Sequence, residues 1–532
     1  MVRRGSVYDG SGGDPYIADV AVLGDRIAGI GDFTHARAGV EIDATGMAVA
    51  PGFINMLSHS YISILQDPRS LGELKQGVTL QIFGEGNSMG PLTPDMRDRM
   101  QKGMDADMPV EVNWLSLAEY LAEAEKRGVT QNIASYIGAT TLRIYAVGQD
   151  DRRATDAEMD VMRGLVRDEM SAGALGIGSS LIYPPAFFAP TEELIELCRA
   201  AAPYQGKYIS HMRDEGGALL EAVDELLRIS REGGVPAEIY HLKAAGSANW
   251  PKMERVIETV EAARARGEAI TADMYLYTAG ATGLSAAIPP RFHDGGPALL
   301  LERLGDPGVR AEIRDAIRNE NEGWENLYRG AGNGDGVLIL GVRRDEHRKY
   351  QAKTLAQVAD MMGVDEVDAL LDLVRADRSR VETAYFTISE DNIRREVQLP
   401  WVSFGSDASS LAAEGPFLNR STHPRAYGNF ARLLGKYVRE EKLVTLPDAI
   451  RRLARLPADN LGLAGRGRIE TGYFADVVVF DPDAVADRAT FEQPHQYAVG
   501  VRDVIVNGVP ALRDSEPTGA LPGRAVFGSG KK

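Results

Sequence analysis

The chain has a single cysteine, Cys198, in 532 residues. That excludes an intrachain disulfide, a CxxC metal motif and a thiol redox pair. Cys198 lies in the helical run TEELIELCRAAA and reads as a core thiol. Histidine is also scarce, at 8 residues, so each one at a strand end carries weight. Positive charge is in deficit: 59 Lys and Arg against 76 Asp and Glu leave a formal charge of −17. That balance argues against nucleic acid or an anionic membrane as a partner. No apolar run is long enough to span a bilayer. The start of the chain lacks the basic-then-apolar pattern of a signal peptide. The expectation is a cytoplasmic protein, with a signal trimmed from before the abrupt first strand as the alternative.

What is present is ordinary in bulk: 44% apolar and 25% charged residues, as in soluble globular proteins. A chain of 532 residues exceeds one compact core, so a large and a smaller domain are expected. Three zones separate. Residues 1–50 are short alternating segments with glycine turns, such as VYDGSG and IADVAVLGDRIAGIG, the pattern of antiparallel strands. Residues 51–465 alternate apolar runs of strand length (TLQIFG, GKYISH, AEIYHLK, AITADMY, PWVSFGSD) with amphipathic stretches such as ALLEAVDELLRISREGG. That alternation predicts an α/β fold, a (β/α)8 TIM-type barrel. Short strands return from 466 to 532 (GRIETGYFADVVVFD, VRDVIVNGVPA). Neither flanking zone can bury a sheet face alone, so the two are expected to pair into one small β-sandwich domain beside the barrel. A stretch rich in Gly, Pro and charge, about 285–345, is expected to be an insertion over the barrel mouth.

Two histidines end successive predicted strands, His211 after Tyr208-Ile209-Ser210 and His241 after Glu238-Ile239-Tyr240. One helix separates them, which places both imidazoles side by side on the catalytic face of a barrel. They could be satisfied core or rim histidines; matched placement favours a zinc-like ion. Phe404-Gly405-Ser406-Asp407 closes an apolar strand with an acid facing the same cavity. Ser-Asp also serves as a helix N-cap, but beside two metal-ligating histidines Asp407 fits a proton carrier for an activated water. Gly84-Glu85-Gly86 puts an acid between two glycines at another strand end, where it is either a polar turn residue or an unobstructed ligand.

Pro51-Gly52-Phe53-Ile54, the strand-end histidines, the Ser-Asp pair and GRIETGYFADVVVFD together resemble the amidohydrolase superfamily. HMRDEG from His211, HLK from His241, YLYTA from Tyr275 and HPR from His423 resemble, more narrowly, the D-aminoacylase (N-acyl-D-amino-acid deacylase) family, in order over nearly the whole chain. The resemblance implies a β-sandwich plus barrel, one tightly bound Zn2+ held by His211 and His241, and Asp407 as catalytic acid. The family's third ligand is a cysteine; here Glu85 falls at its place, a harder ligand that admits other divalent metals. The superfamily's His-x-His is reduced, because Leu57 stands where the first histidine belongs and only His59 remains. His59 is then a weak second-site ligand or a hydrogen-bond donor to substrate. No lysine lies in GALGIGSSLIY to carry a bridging carbamate, so a single metal on Glu85, His211 and His241 is expected.

An acylated amino acid carries a carboxylate beside its scissile amide. Arg425 can bind it bidentately, and the resemblance adds Lys243 and Tyr277 as co-donors and Thr282 as a substitute hydroxyl. The expected function is metal-dependent hydrolysis of N-acyl-D-amino acids. The alternatives are a dipeptidase, a cyclic-amide hydrolase, or a barrel that has lost its chemistry. The partner is a small N-acyl amino acid, with homo-oligomerisation left open.

Overall fold

The computed structural model describes residues 1–104, 107–320 and 322–531. Nine strands carry the central part of the chain in two parallel sheets. One sheet runs Phe53–Asn55, Val78–Phe83, Asn132–Ser135. The other has six strands in the order Val402–Phe404, Ile270–Met274, Ala237–Ile239, Lys207–His211, Gly176–Ser180, Ile137–Gly138. Val78–Phe83 is buried at every position, as expected of a parallel strand covered on both faces. Hydrogen bonds continue from one sheet to the other at both ends. Met56 donates to the Phe404 carbonyl at 3.2 Å and Leu175 to the Ser135 carbonyl at 3.0 Å.

The helices between these strands show why the periodicity was readable. Leu219–Gly233 buries Leu219, Ala222, Val223, Leu226, Leu227 and Ser230, a stripe at helical spacing. Asp156–Ala172 begins at a capping box of Thr155 and Glu158 and ends at Gly173, φ +110. Cys198 is free and buried on Thr191–Ala201, the core thiol expected of it.

Strands from both ends of the chain share one nine-stranded sheet. Ala48–Pro51 is its seam, parallel to Val2–Val7 on one side and antiparallel to Val477–Phe480 on the other. The inserted region is longer than the expected 285–345. A separate antiparallel sheet of Gly280–Gly283, Glu382–Tyr385 and Val337–Gly341 spans it, with an apolar cluster running from Leu284 to Tyr385. Helices Leu355–Met362 and Glu366–Asp377 have the apolar spacing of barrel helices, but their buried faces belong to this cluster. No helix among the described residues is long and apolar enough to cross a membrane.

One buried polar network ties the first and last parallel strands together. Asn55 Nδ2 donates to Glu73 Oε1 at 2.7 Å and to Ser406 Oγ at 2.8 Å, while Asn55 Oδ1 accepts from the Ser406 amide at 2.9 Å. Burial pushes the Glu73 carboxyl up to about 8, against the Asn55, Ser406 and Ser58 hydrogen bonds. Those donors converge on Oε1, and Oε2 has no partner, as suits a protonated acid. Between the ordinary 4.5 and about 8 the folded chain therefore keeps a proton that the unfolded chain has lost. Stability should be full below that window and fall as pH rises through it. Glu73→Gln should flatten the fall in denaturant titrations at successive pH values; an unchanged slope would remove Glu73 as its source.

Candidate metal centre

The strands Lys207–His211 and Ala237–Ile239 are parallel neighbours with Ser210 opposite Ile239. His211 closes one, and His241 lies just beyond the other. Their rings meet edge to face, centroids 4.4 Å apart. Val78–Phe83 delivers Glu85 to the same point, with Oε1 3.0 Å from His211 Nδ1 and 3.2 Å from His241 Nε2. Gly84 turns the chain there at φ +109, and its carbonyl oxygen lies where a Cβ on Gly178 would be 2.1 Å away. Gly178, on the strand Gly176–Ser180, leaves room for that carbonyl, as Gly138 does for the carbonyl of Gly86. His59 Nε2 stands 3.1 Å from Glu85 Oε2 and 3.0 Å from Asp407 Oδ1. Two groups result, each with its ligand atoms within 4.8 Å of one another: Glu85, His211 and His241, and His59, Glu85 and Asp407. They share Glu85.

Two of these side chains are aimed by backbone that L-residues rarely adopt. His241 has φ +36 and Asp407 φ +48. Each is held by one bond: the His241 amide donates to Asp273 Oδ1 at 2.9 Å, and the Asp407 amide to the Leu57 carbonyl at 2.9 Å. Leu57 thus replaces a ligand, yet its main chain still aims the acid. Arg425 Nη1 lies 2.6 Å from Asp407 Oδ2, with the guanidinium 4.4 Å from the Tyr275 ring centroid.

A further acid sits behind the histidines. Glu215 Oε1 is 3.1 Å from His241 Nδ1 and accepts from Lys243 Nζ at 2.7 Å; its Oε2 is 3.4 Å from His211 Nε2. A carboxylate behind a ligating imidazole orients the ring and raises its basicity.

Charge decides what this cluster can hold. Burial alone would push Glu85 up, but the His211, His241 and His59 imidazoles hold its carboxyl well below the usual range. Burial likewise opposes ionisation of Asp407 and Glu215. Arg425 and His59 keep the first low, and His211, Lys243 and His241 the second. Among the described residues, Lys243 and Arg425 pair directly with Glu215 and Asp407, and Arg380 acts on Glu85 from further off. At close range the polypeptide alone meets Glu85 with protonated imidazoles. Burial and Lys243 push His241 down, yet Glu215 and Glu85 hold it at about 10. His59 is raised well above its ordinary value by Asp407 and Glu85 against burial. A divalent cation supplies that positive charge and frees the imidazole lone pairs for ligation, so the donor set fits a metal.

The remaining expected residues divide. Lys243 is at the site, but Nζ is engaged by Glu215 and by His241 Nδ1 at 2.6 Å. Arg425 is at the site and paired with Asp407. Tyr277 is turned away: its hydroxyl donates to Asp487 at 3.2 Å, and Arg432 lies over its ring. A two-residue strand period would put Tyr275 and Tyr277 on one face, but the strand ends at Met274 and the chain bends at 276–278, so of the two only Tyr275 faces His241, centroids 6.2 Å apart. The Tyr275 hydroxyl is buried without a partner. Thr282 accepts from Arg380 Nη2 at 2.8 Å. Glu215, Asp273 and Tyr275 were not singled out from the sequence. An acid inside the apolar strand ITADM, and a Glu four residues after His211, were the available signals.

Comparison with known proteins bears on this geometry. Residues 40–511 match the Amidohydrolase family. The D-aminoacylase of Alcaligenes xylosoxydans xylosoxydans is 33% identical over 99% of this chain and 97% of its own length. An N-acyl-D-glutamate deacylase from Bordetella bronchiseptica, solved with zinc and a phosphonate mimic of the tetrahedral intermediate, superposes with a TM-score of 0.82 at 29% identity, covering 99% of this chain and 98% of that one. A D-aminoacylase structure described by its binuclear centre, with one-metal activation and second-metal attenuation, has a TM-score of 0.82 at 31% identity over 99% of both chains.

Two substitutions probe the support rather than the ligands. Gly178→Ala should push the Gly84 carbonyl away and displace Glu85, lowering bound metal while far-UV circular dichroism stays native. Glu215→Gln should weaken metal affinity about 10- to 100-fold. Unchanged stoichiometry and affinity in both would mean that neither residue supports the centre.

Proposed function

The chain belongs to the amidohydrolase family, and on that premise we propose that it hydrolyses the amide bond of N-acyl-D-amino acids. The products are a carboxylic acid and a free D-amino acid. The observation that carries this reading is the Glu85–His211–His241 group with Asp407 beside it, linked through His59. We read the two parallel sheets as arcs of one (β/α)8 barrel, 51–465, with the hydrogen bonds at both junctions as support. Residues 1–50 and 466–532 then form the smaller β domain around the shared sheet.

In this reading one zinc ion is held by Glu85, His211 and His241, with Glu215 orienting both rings. When bound, the ion supplies a Lewis acid that polarises the amide carbonyl and acidifies water. Asp407, ionised and fixed by Arg425 and His59, accepts the proton of the attacking water at its carboxylate. It then delivers that proton to the departing nitrogen. The unpartnered Tyr275 hydroxyl donates to the developing oxyanion. Arg425 keeps Asp407 with one Nη and has Nε free of any hydrogen bond, so the same guanidinium can receive the substrate carboxylate. Lys243 and His59 border that position. The second group, His59, Glu85 and Asp407, is a weaker locus that would engage the catalytic acid if a further ion entered.

Asp407→Asn should keep its metal while kcat falls by about 10²- to 10⁴-fold; turnover near the native rate would sink the proton role. Glu85→Ala should lose metal in equilibrium dialysis. The zinc-loaded enzyme should turn over N-acetyl-D-amino acids and leave their L enantiomers and dihydroorotate. Preference for either of those would overturn the substrate assignment.

A further inference from the structure

Beside the metal group lies a cavity of about 360 Å3 that the chemistry above does not use. Its walls include Ile62, Met89, Leu92, Met96, Met100 and Ile144. Met96 and Met100, one turn apart, form the inner stripe of Pro94–Gly103, a surface helix with no fully buried residue. Ile144 comes from Ala139–Ala146, on the other side. Two of its lining residues touch the site. Tyr61 meets the His59 ring edge to face, centroids 6.3 Å apart, and the Asn87 amide donates to the Glu85 carbonyl at 2.6 Å. Arg99, which is exposed, is the one charged residue on the lining among the described residues.

The substrate of the reading above has two halves around its scissile amide. The amino-acid half bears the carboxylate and belongs with Arg425. The acyl half needs a surface of its own, and the cavity behind Tyr61 and Asn87 is adjacent and largely apolar. We infer that this cavity receives the acyl chain, so that the enzyme favours straight apolar acyl groups of several carbons over acetyl; the inference rests on the N-acyl-amino-acid reading. Unbranched methionines suit such an occupant, because their thioethers adapt to a flexible chain. The volume lies near the lower end of ligand-sized pockets, about 300–1,000 Å3.

The test is one D-amino acid carrying acetyl, butanoyl, hexanoyl, octanoyl or succinyl groups. With the zinc-loaded enzyme, kcat/KM should rise about fourfold per methylene, the value of about 0.8 kcal/mol per buried CH2, until the cavity is full. Met100→Trp and Ile144→Trp narrow it from opposite helices. Each should lower the octanoyl-to-acetyl ratio of kcat/KM by about tenfold or more. A flat series, or ratios indifferent to both variants, overturns the inference while turnover of the acetyl compound leaves the hydrolase reading intact. Preference for succinyl over butanoyl also overturns it, by giving the cavity to Arg99. If no compound in the panel is hydrolysed, the hydrolase reading fails. Calorimetric binding of the octanoyl and acetyl compounds then decides the cavity, and equal affinities overturn it.

Discussion

Everything at the centre depends on one carboxylate. Glu85 is approached by His211, His241 and His59 at 3.0–3.2 Å, and among the described residues no other side chain joins both candidate ligand groups. Imidazoles around a buried anion are stable only if something there is positive. The chain alone meets that need with protons and a metal meets it with an ion. Ligation and protonation are therefore competing states of the same cluster. Glu215, Lys243 and Arg425 then set how far the remaining charges are balanced. The arrangement also makes position critical. Glu85 hangs from a turn between two glycines, and that turn is seated because residues 138 and 178 have no side chains to strike the Gly86 and Gly84 carbonyls.

Strain runs alongside charge. His241 and Asp407 sit in left-handed backbone, each secured by a single hydrogen bond from its amide. Conformations of this kind cost about 1–3 kcal/mol and persist where the surroundings over-determine them. Here the surroundings are Asp273, the Leu57 carbonyl, and the Asn55–Glu73–Ser406 network next to Asp407. Part of the core's polar inventory thus serves to aim two side chains.

The sequence was legible wherever one residue type at one strand end sufficed. His211, His241, Glu85 and Asp407 are brought together because parallel strands present their ends on a common side, a property of topology that periodicity reveals. What needed a third dimension was hidden. Tyr277 and Tyr275 are two residues apart and indistinguishable by type, and only the bend after Met274 separates them. Lys243 and Arg425 read as open cations, but their partners Glu215 and Asp407 are distant in sequence or equally plausible as free acids. The insertion extended to Tyr385 because helices that cover a small sheet carry the same apolar spacing as helices that cover a barrel. Leu57 was read as a loss, yet its carbonyl still holds Asp407, and backbone roles leave no mark on residue identity.

The shared sheet has a consequence for how the chain is made. Ala48–Pro51 finds its antiparallel neighbour at Val477–Phe480, with Pro51 opposite a residue 426 positions later. At about 5–20 residues per second, a ribosome needs on the order of 20–90 s to supply it. Through that interval the nascent protein carries an open, apolar strand edge, of the kind that pairs with other chains. The segment that protects it is among the last to appear. Yield at elevated growth temperature should therefore be governed by the waiting time of that edge more than by the finished molecule's stability.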